Sequence, residues 1–134
     1  MLEVEGRPGG AGRAAVCRGS GGAGRGLAVK RGDIVAVSLQ GDYGKPRPAL
    51  IVQSNLLAEL ESLVICPITS AVRDAAFRIT VEPDNANGLR VLSQVMVDKL
   101  STLPRSKISK PFGRLDDERM KAVDRALLLV VGLI

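Results

Sequence analysis

Histidine is absent from this sequence of 134 residues, and its absence decides which chemistry is open to the protein. Imidazole is the general base of the Ser/His/Asp triad, of the Cys/His pair and of two-histidine nucleases. None of these mechanisms can operate here. Any catalysis must therefore use an unusual acid and base.

The two cysteines do not indicate a metal or disulfide site. Cys17 and Cys66 lie far apart and lack the paired spacing of a zinc site, and two thiols are too few for a disulfide framework. We expect Cys66 to be a buried strand residue. The sequence predicts neither a metal nor another cofactor.

The charge of the chain favours a polyanionic partner. The formal net charge is +5, and a basic surface attracts nucleic acid by long-range electrostatics. A mildly basic surface is also common among proteins that bind no nucleic acid. Charge alone therefore makes nucleic acid a reasonable partner without identifying one.

The composition changes near residue 29. Residues 1–28 are rich in glycine, carry several arginines and offer no apolar face, so we expect a disordered extension. This extension is either an RNA-attracting arm or an incidental addition, and the second is favoured. Residues 29–134 are expected to form one domain. Because no secretory signal and no run of about 18 apolar residues is present, we expect a cytoplasmic protein with no membrane partner.

Short apolar runs broken by turn residues predict strands in the first half of this domain. Residues 33–39 alternate as a strand should, and residues 40–45 form a loop. Residues 48–54 predict a central strand that is buried on both faces, with Pro48 in its first position. A short helical turn with Asn55 as its N-cap follows.

The second half predicts three more strands and a helix. Residues 63–69 form the third strand, in which Pro67 indicates an edge or a bulge, and residues 78–82 and 91–100 form the fourth and fifth. Residues 116–133 predict a helix that begins with carboxylates at the positive end of its dipole. Its apolar last turns are expected to be buried in the core or at a subunit contact. Five strands in so short a domain suggest a small barrel.

Several of these segments resemble the MazF/PemK family of toxin–antitoxin endoribonucleases. The chain reads RGDIVAVSL, then a loop, then KPRPALIVQSN, and later LVICPITS and SQVMVDKLSTLPRSKI. The most specific feature is a loop that ends in Arg47 and Pro48 before an apolar strand, with Thr69 at the end of the next apolar run. The resemblance covers about residues 30–133.

This resemblance implies a fold, an activity and partners. The fold would be mainly β with small helices (α+β), a five-stranded SH3-like barrel of the MazF/PemK/CcdB type with a C-terminal helix. The activity would be metal-independent cleavage of single-stranded RNA within a short recognition sequence. The partners would be a second copy of the chain, in a homodimer, and a cognate MazE-like antitoxin.

The resemblance carries the family's catalytic pair over to Arg47 and Thr69. Cleavage by the 2′-hydroxyl of the RNA requires stabilisation of the charge on the phosphorane and protonation of the leaving oxygen. Arg47 would stabilise that charge with its planar set of donors, and Thr69 would donate its hydroxyl to the phosphate. Ser70 is a second donor, although strand alternation would turn it to the other face. Without the resemblance, Arg47 and Thr69 would be interpreted as a solvated loop residue and an ordinary strand-end hydroxyl.

The neighbours of this pair are candidates for RNA contacts. Lys45, Arg73 and Arg78 could follow the RNA backbone, each through a salt-sensitive phosphate contact. Tyr43 could stack on an unpaired base, or equally could cover the barrel. With three aromatic rings in all, the protein is expected to recognise bases mainly through hydrogen bonds to their edges.

Two other functions remain open at this level. The same small barrel occurs in toxins that bind a protein partner without cutting RNA, such as gyrase poisons, and fold does not fix function. An inactive toxin that binds only its antitoxin is the other. In either case we expect the antitoxin to lay an acidic, apolar-studded segment over the basic groove.

Overall fold

The computed structural model describes residues 28–38 and 45–134. The predictions made for residues 1–27 and for the loop at 39–44, which includes Tyr43, lie outside the described residues. Seven antiparallel strands and one α-helix are found in the described part of the chain. They are β1 (Asp33–Ser38), β2 (Pro46–Ile51), β3 (Ser62–Thr69), β4 (Arg78–Val81), β5 (Ser93–Met96), β6 (Ser101–Pro104), β7 (Gly113–Arg114) and α1 (Asp117–Val130).

The strands form one curved sheet in the order β4-β5-β3-β2-β1-β7, with β6 also paired to β3. Three 3₁₀ turns, Asn55–Leu57, Val97–Lys99 and Arg105–Lys107, connect some of these strands. The sheet forms a half-barrel with one C-terminal helix. The predicted fold class is confirmed, although the sheet has more strands than the expected five.

Strands β1, β2 and β3 are buried on both faces, because their alternating apolar residues enter two separate hydrophobic clusters. One face of β2 contributes Leu50 to a cluster that α1 covers with Met120 and Val123. The other face contributes Ala49 and Ile51 to a smaller cluster. Burial on both faces and the central place of β2 agree with the prediction for residues 48–54.

The fifth strand expected at residues 91–100 is shorter than predicted: β5 ends at Met96, and β6 (Ser101–Pro104) is an additional strand beyond that range. β5 and β6 pair with the same edge of β3. Between these two ladders, two residues of β3 face five residues of the other segment, residues 96–100. The 3₁₀ turn Val97–Lys99 takes up the extra residues. Val95 and Val97 are both fully buried, so the apolar pattern of this segment does not distinguish a turn from a continuing strand.

Pro67 and Pro48 differ in part from their predicted positions. Pro67 is in an interior strand and not at an edge, but it lies in the gap between the residues of β3 that pair with β6 and those that pair with β5, where the facing chain has extra residues as at a bulge, the other possibility that this proline indicated. Pro48 is the third residue of β2 and not the first, since the strand begins at Pro46. The N-cap of the following turn is Ser54, whose Oγ accepts from the N–H of Leu56 at 3.1 Å, and not Asn55.

The C-terminal helix begins as predicted, with Asp116 as its N-cap accepting a hydrogen bond from the N–H of Arg119 at 3.2 Å. Only the start of its apolar end packs into the core of this chain: Ala126 is buried and Leu127 packs against the core, whereas Leu128 and Leu129 are 39% and 46% exposed and Leu133, after the helix, is 71% exposed. Core burial therefore does not extend beyond Leu127, and the subunit contact stays a prediction. Among the described residues, no helix has the length and apolar character needed to cross a bilayer.

Candidate active site

Arg47 and Thr69 line the same groove, one from each of two adjacent strands. In the β2–β3 ladder Ala49 pairs with Pro67. Continued by two residues, this antiparallel register places Arg47 level with Thr69, and both side chains leave the same face of the sheet because strand side chains alternate. The fold therefore brings together two residues that are 22 positions apart in the sequence.

The groove has a volume of about 1030 Å³ and is lined by three parts of the chain. One wall is the strand ends that carry Arg47 and Thr69. A second is the segment of residues 88–91 with Ser93 and Met96, and the third is Phe112. A groove of this size is open to an extended ligand and not only to a small molecule.

Ser70 joins Thr69 in the groove lining. β3 ends at Thr69, so strand alternation no longer decides the direction of the next side chain. The argument from strand alternation, which turned Ser70 to the other face, therefore does not apply at this position. Thr69 itself is held locally, because its Oγ1 accepts from the N–H of Ala71 at 3.0 Å. A hydroxyl that accepts one hydrogen bond still has its own proton to donate.

Gln94 fixes the chain directly after Thr69. It pairs with Thr69 across β3 and β5 and is 2% exposed. Its Oε1 accepts from the N–H of Arg73 at 2.8 Å, and its Nε2 donates to the carbonyl of Arg73 at 2.6 Å and to Oγ1 of Thr80 at 3.1 Å. A buried amide is stable only with such partners, so Gln94 holds the segment that leaves the site.

Asn87 organises the opposite wall. It is 3% exposed, and its side chain donates to the carbonyl of Glu82 at 2.8 Å and accepts from the N–H of Leu89 at 2.9 Å. Asp84 and Asn87 also exchange backbone-to-side-chain hydrogen bonds at 2.7 and 3.1 Å. This network closes the turn and directs the following residues, Leu89 and Arg90, into the groove lining.

The predicted phosphate contacts do not all lie in this groove. Lys45 and Arg73 are exposed but are not among the groove-lining residues. Arg78 is engaged within the chain: its side chain is 8% exposed, and its Nε and Nη2 donate to the Asp98 carboxylate at 3.2 and 3.3 Å. Tyr43 lies outside the described residues. Arg47, Thr69 and Ser70 thus line one groove, and the three other predicted cations are not among its lining residues.

Two residues of the groove were missed at the level of sequence, Arg90 and Phe112. Arg90 follows the turn at residues 83–88, whose composition marks a turn but not what it faces. Phe112 lies between a turn and a two-residue strand, where no periodic pattern exists. The scarcity of aromatic residues in the sequence could have marked Phe112 as a candidate, because an exposed ring in such a chain is notable.

Two groups outside the groove lining have shifted pKa values with clear causes. Burial opposes ionisation of Asp98, but the hydrogen bonds and charge of Arg78 outweigh it and hold the pKa of that carboxyl below its ordinary value. Burial raises the pKa of the Cys66 thiol to about 12. Cys66 is fully buried in β3, as predicted. In the part of the chain that the structure describes, no three His, Cys, Asp or Glu side chains gather as metal ligands do.

Comparison with known proteins places this chain in a class of toxins. Residues 30–131 match the family described as PemK-like, MazF-like toxin of type II toxin–antitoxin systems. A probable endoribonuclease MazF of Mycolicibacterium smegmatis is 41% identical over 107 residues, which are 78% of this chain and 98% of the relative. Endoribonuclease EndoA of Bacillus subtilis is 27% identical over 114 residues, 81% of this chain and 98% of that protein.

Solved structures of similar fold are also toxins or endoribonucleases. The Mycobacterium tuberculosis toxin MazF-mt6 is 26% identical with a TM-score of 0.66, covering 75% of this chain and 96% of the toxin. A mycobacterial endoribonuclease solved with its cognate antitoxin has the same fold, with a TM-score of 0.69 at 21% identity over 80% of this chain and 98% of its own. The chain belongs to the PemK-like, MazF-like toxin family of type II toxin–antitoxin systems.

Proposed function

We propose that this protein is a toxin that cleaves single-stranded RNA at a short recognition sequence, without a metal, and so inhibits translation and growth in the cytoplasm. The family membership and the endoribonuclease names of its relatives support this function. The single observation that carries it to particular residues is the shared groove of Arg47 and Thr69.

In the proposed reaction the 2′-oxygen of the RNA attacks the adjacent phosphorus. The new bond joins the 2′-oxygen to phosphorus, the bond from phosphorus to the 5′-oxygen breaks, and the products are a 2′,3′-cyclic phosphate and a 5′-hydroxyl. The 2′-hydroxyl loses its proton to solvent and the departing oxygen takes one up. The nucleophile belongs to the substrate, so the protein need supply only orientation and charge stabilisation.

Arg47 acts in this reaction through its charge. Arginine acts on phosphates as a cationic donor, and the proposed role of Arg47 is charge stabilisation and not proton transfer. Its two parallel donors match two phosphoryl oxygens of the phosphorane. Thr69 donates its hydroxyl to the same group, and Ser70 is a second donor on the same rim.

The partners follow from the same assignment. RNA is the substrate, and a MazE-like antitoxin is the proposed inhibitor, since relatives of this fold include a toxin solved with its cognate antitoxin and a MazE–MazF complex from Deinococcus radiodurans. A homodimer is proposed as well, and the exposed apolar residues at and after the end of α1 (Leu128, Leu129 and Leu133) form a surface that a second copy would cover.

The test is cleavage of mixed cellular RNA in excess EDTA by the wild-type protein and by Arg47→Ala and Thr69→Ala. Arg125→Ala and Thr102→Ala are matched controls, because both residues are exposed and neither lines the groove. We expect discrete cuts that persist in the controls and fall about 100-fold or more in each groove variant. Intact RNA with the wild-type protein would instead favour a toxin that acts by binding a protein partner.

A further inference from the structure

Phe112 brings an aromatic ring into the groove that contains Arg47 and Thr69. The whole chain has one tyrosine, two phenylalanines and no tryptophan. Phe112 is 46% exposed, although burial of such a ring would contribute about 2 kcal/mol or more to folding. The ring is therefore left at the surface of the groove and not packed in the core.

The backbone around Phe112 is fixed on both sides. Its N–H donates to the carbonyl of Ile34 in β1 at 2.9 Å, and the N–H of Arg114 donates to the carbonyl of Ala86 at 2.8 Å. Between them, Gly113 passes so close to the Asn87 turn that a Cβ on Gly113 would lie 2.0 Å from the carbonyl oxygen of Asn87. The ring is therefore carried by a rigid junction between β7 and the turn, and not by a loose loop.

The ring itself rests against Gly88. A Cβ on Gly88 would lie 2.8 Å from Cδ1 of Phe112, and Gly88 has a φ of +71°, which favours glycine for a second reason. One edge of the ring is thus supported by bare backbone, while much of the remaining surface stays open to the groove. Held in this way, the ring loses little conformational freedom when a ligand stacks on it.

The charges of the groove favour a ligand that is both planar and anionic. Arg47 and Arg90 are the charged residues among the described residues that line it, and no carboxylate is among them. Arg90 is exposed and lies on the same wall as Gly88. Single-stranded RNA supplies planar bases and phosphates in regular alternation, and its recognition commonly combines aromatic stacking with basic side chains.

We propose that Phe112 is a stacking platform for one unpaired base of the RNA, and that Arg90 contacts a phosphate next to that base. The proposal rests on the function proposed above and names a subsite of the same groove. It changes the expectation drawn from the low aromatic content, because a base is then bound by its face at this position and not only by its edges. The same wall could instead receive an apolar side chain of the antitoxin, which the test separates.

Two measurements on the full-length protein test the stacking platform. The first compares kcat and KM for a defined RNA in wild type, Phe112→Leu and Phe112→Tyr. Stacking lost with the ring raises KM about tenfold in Phe112→Leu with little change in kcat, since base–aromatic stacking is typically worth such a factor. Phe112→Tyr keeps the ring and is expected to retain the wild-type KM. Arg90→Ala is expected to weaken binding and to reduce its dependence on salt.

The second measurement uses F112W, which contains the single indole of the protein. A 2′-O-methyl RNA spanning a mapped cut site cannot be cleaved, and we expect it to quench the indole emission by stacking. Wild-type cleavage with an unchanged KM in F112L and no quenching in F112W overturns the subsite and leaves the nuclease standing. Quenching by the antitoxin peptide but not by RNA also overturns it. Absence of cleavage by the wild-type protein contradicts the proposed function itself, whatever the indole reports.

Discussion

Gln94 forms a two-sided hydrogen-bonded contact with the backbone of Arg73, accepting from its N–H at 2.8 Å and donating to its carbonyl at 2.6 Å. In the segment that follows Thr69, the buried side chain of Gln94 thus makes the two backbone hydrogen bonds that a neighbouring strand would otherwise make with Arg73. In a protein with few charged or polar groups in its interior, this contact is the clearest link between the core and the rim of the groove.

Replacement of Gln94 by Leu should lower both stability and cleavage. The change leaves the N–H and carbonyl of Arg73 without this partner, which costs about 1–3 kcal/mol, and it releases the segment after Thr69. Gln94→Glu keeps the acceptor for the Arg73 N–H but sets a buried carboxylate oxygen against the Arg73 carbonyl, so its effect should be at least as large as that of Gln94→Leu. Urea denaturation and kcat for a defined RNA measure the two effects. A Gln94→Leu protein with wild-type kcat would show that the contact serves stability alone.

The hydroxyl of Thr69 should matter more than its shape. Thr69→Val keeps the branched side chain and removes the hydroxyl, so we expect a loss in kcat of about 100-fold, as for other donors to a charged transition state. Thr69→Ser keeps the hydroxyl and should retain most of the activity. Single-turnover cleavage measures both. Equal activity of the Val and Ser variants would exclude hydrogen-bond donation by Thr69.

The Arg78–Asp98 ion pair should make stability depend on acid. The pKa of Asp98 is lowered in the folded protein, so its contribution is present above the unfolded carboxyl pKa of about 3.9 and is lost as pH falls through the folded value. The difference in urea midpoint between wild type and Asp98→Asn should therefore be largest near pH 7 and shrink below about pH 4. Glu59→Gln, at an exposed position, is the control. A difference that stays constant down to pH 3 would contradict this account.

Cys66 should be chemically silent in the folded protein. Burial raises the pKa of its thiol to about 12, and the thiolate is the reactive form. In a Cys17→Ser background, a thiol-specific reagent should react at neutral pH only after urea unfolds the chain. Since the unfolded thiol ionises near pH 8.5 and the folded one near 12, stability should also fall between these values, and less so in Cys66→Ala. Rapid labelling of the native protein would show that β3 opens readily.

Strands and helix ends were predicted correctly where the sequence pattern is compatible with only one type of structure. Alternation at residues 33–39, the buried run at 48–54 and the carboxylates at Asp116 and Asp117 led to β1, β2 and the start of α1. The 3₁₀ turn Val97–Lys99 was missed because its buried Val97 continues the apolar pattern of β5. For the apolar end of α1 the sequence left core burial and a subunit contact both open, because apolar residues alone do not say whether their partner is the same chain or another.

Some residues of the candidate site were likewise predicted from the sequence, and others were missed. Arg47 and Thr69 came from a motif resemblance, and the β2–β3 register explains why residues so far apart in sequence share a groove. Gln94, Arg90 and Phe112 could not be found in this way. Their roles depend on contacts across the sheet and on close approaches at Gly88 and Gly113, and neither leaves a local pattern in the sequence.

The central claim is that RNA is cut by its own 2′-hydroxyl in a groove that contains Arg47 and Thr69. The most direct measurement replaces the ribose on the 5′ side of a mapped cut with 2′-deoxyribose and follows cleavage in excess EDTA. The account predicts a 2′,3′-cyclic phosphate at that cut in the unmodified RNA and no cleavage there after the replacement. Cleavage that persists at the deoxyribose, or fragments that end in a 3′-hydroxyl, would contradict it.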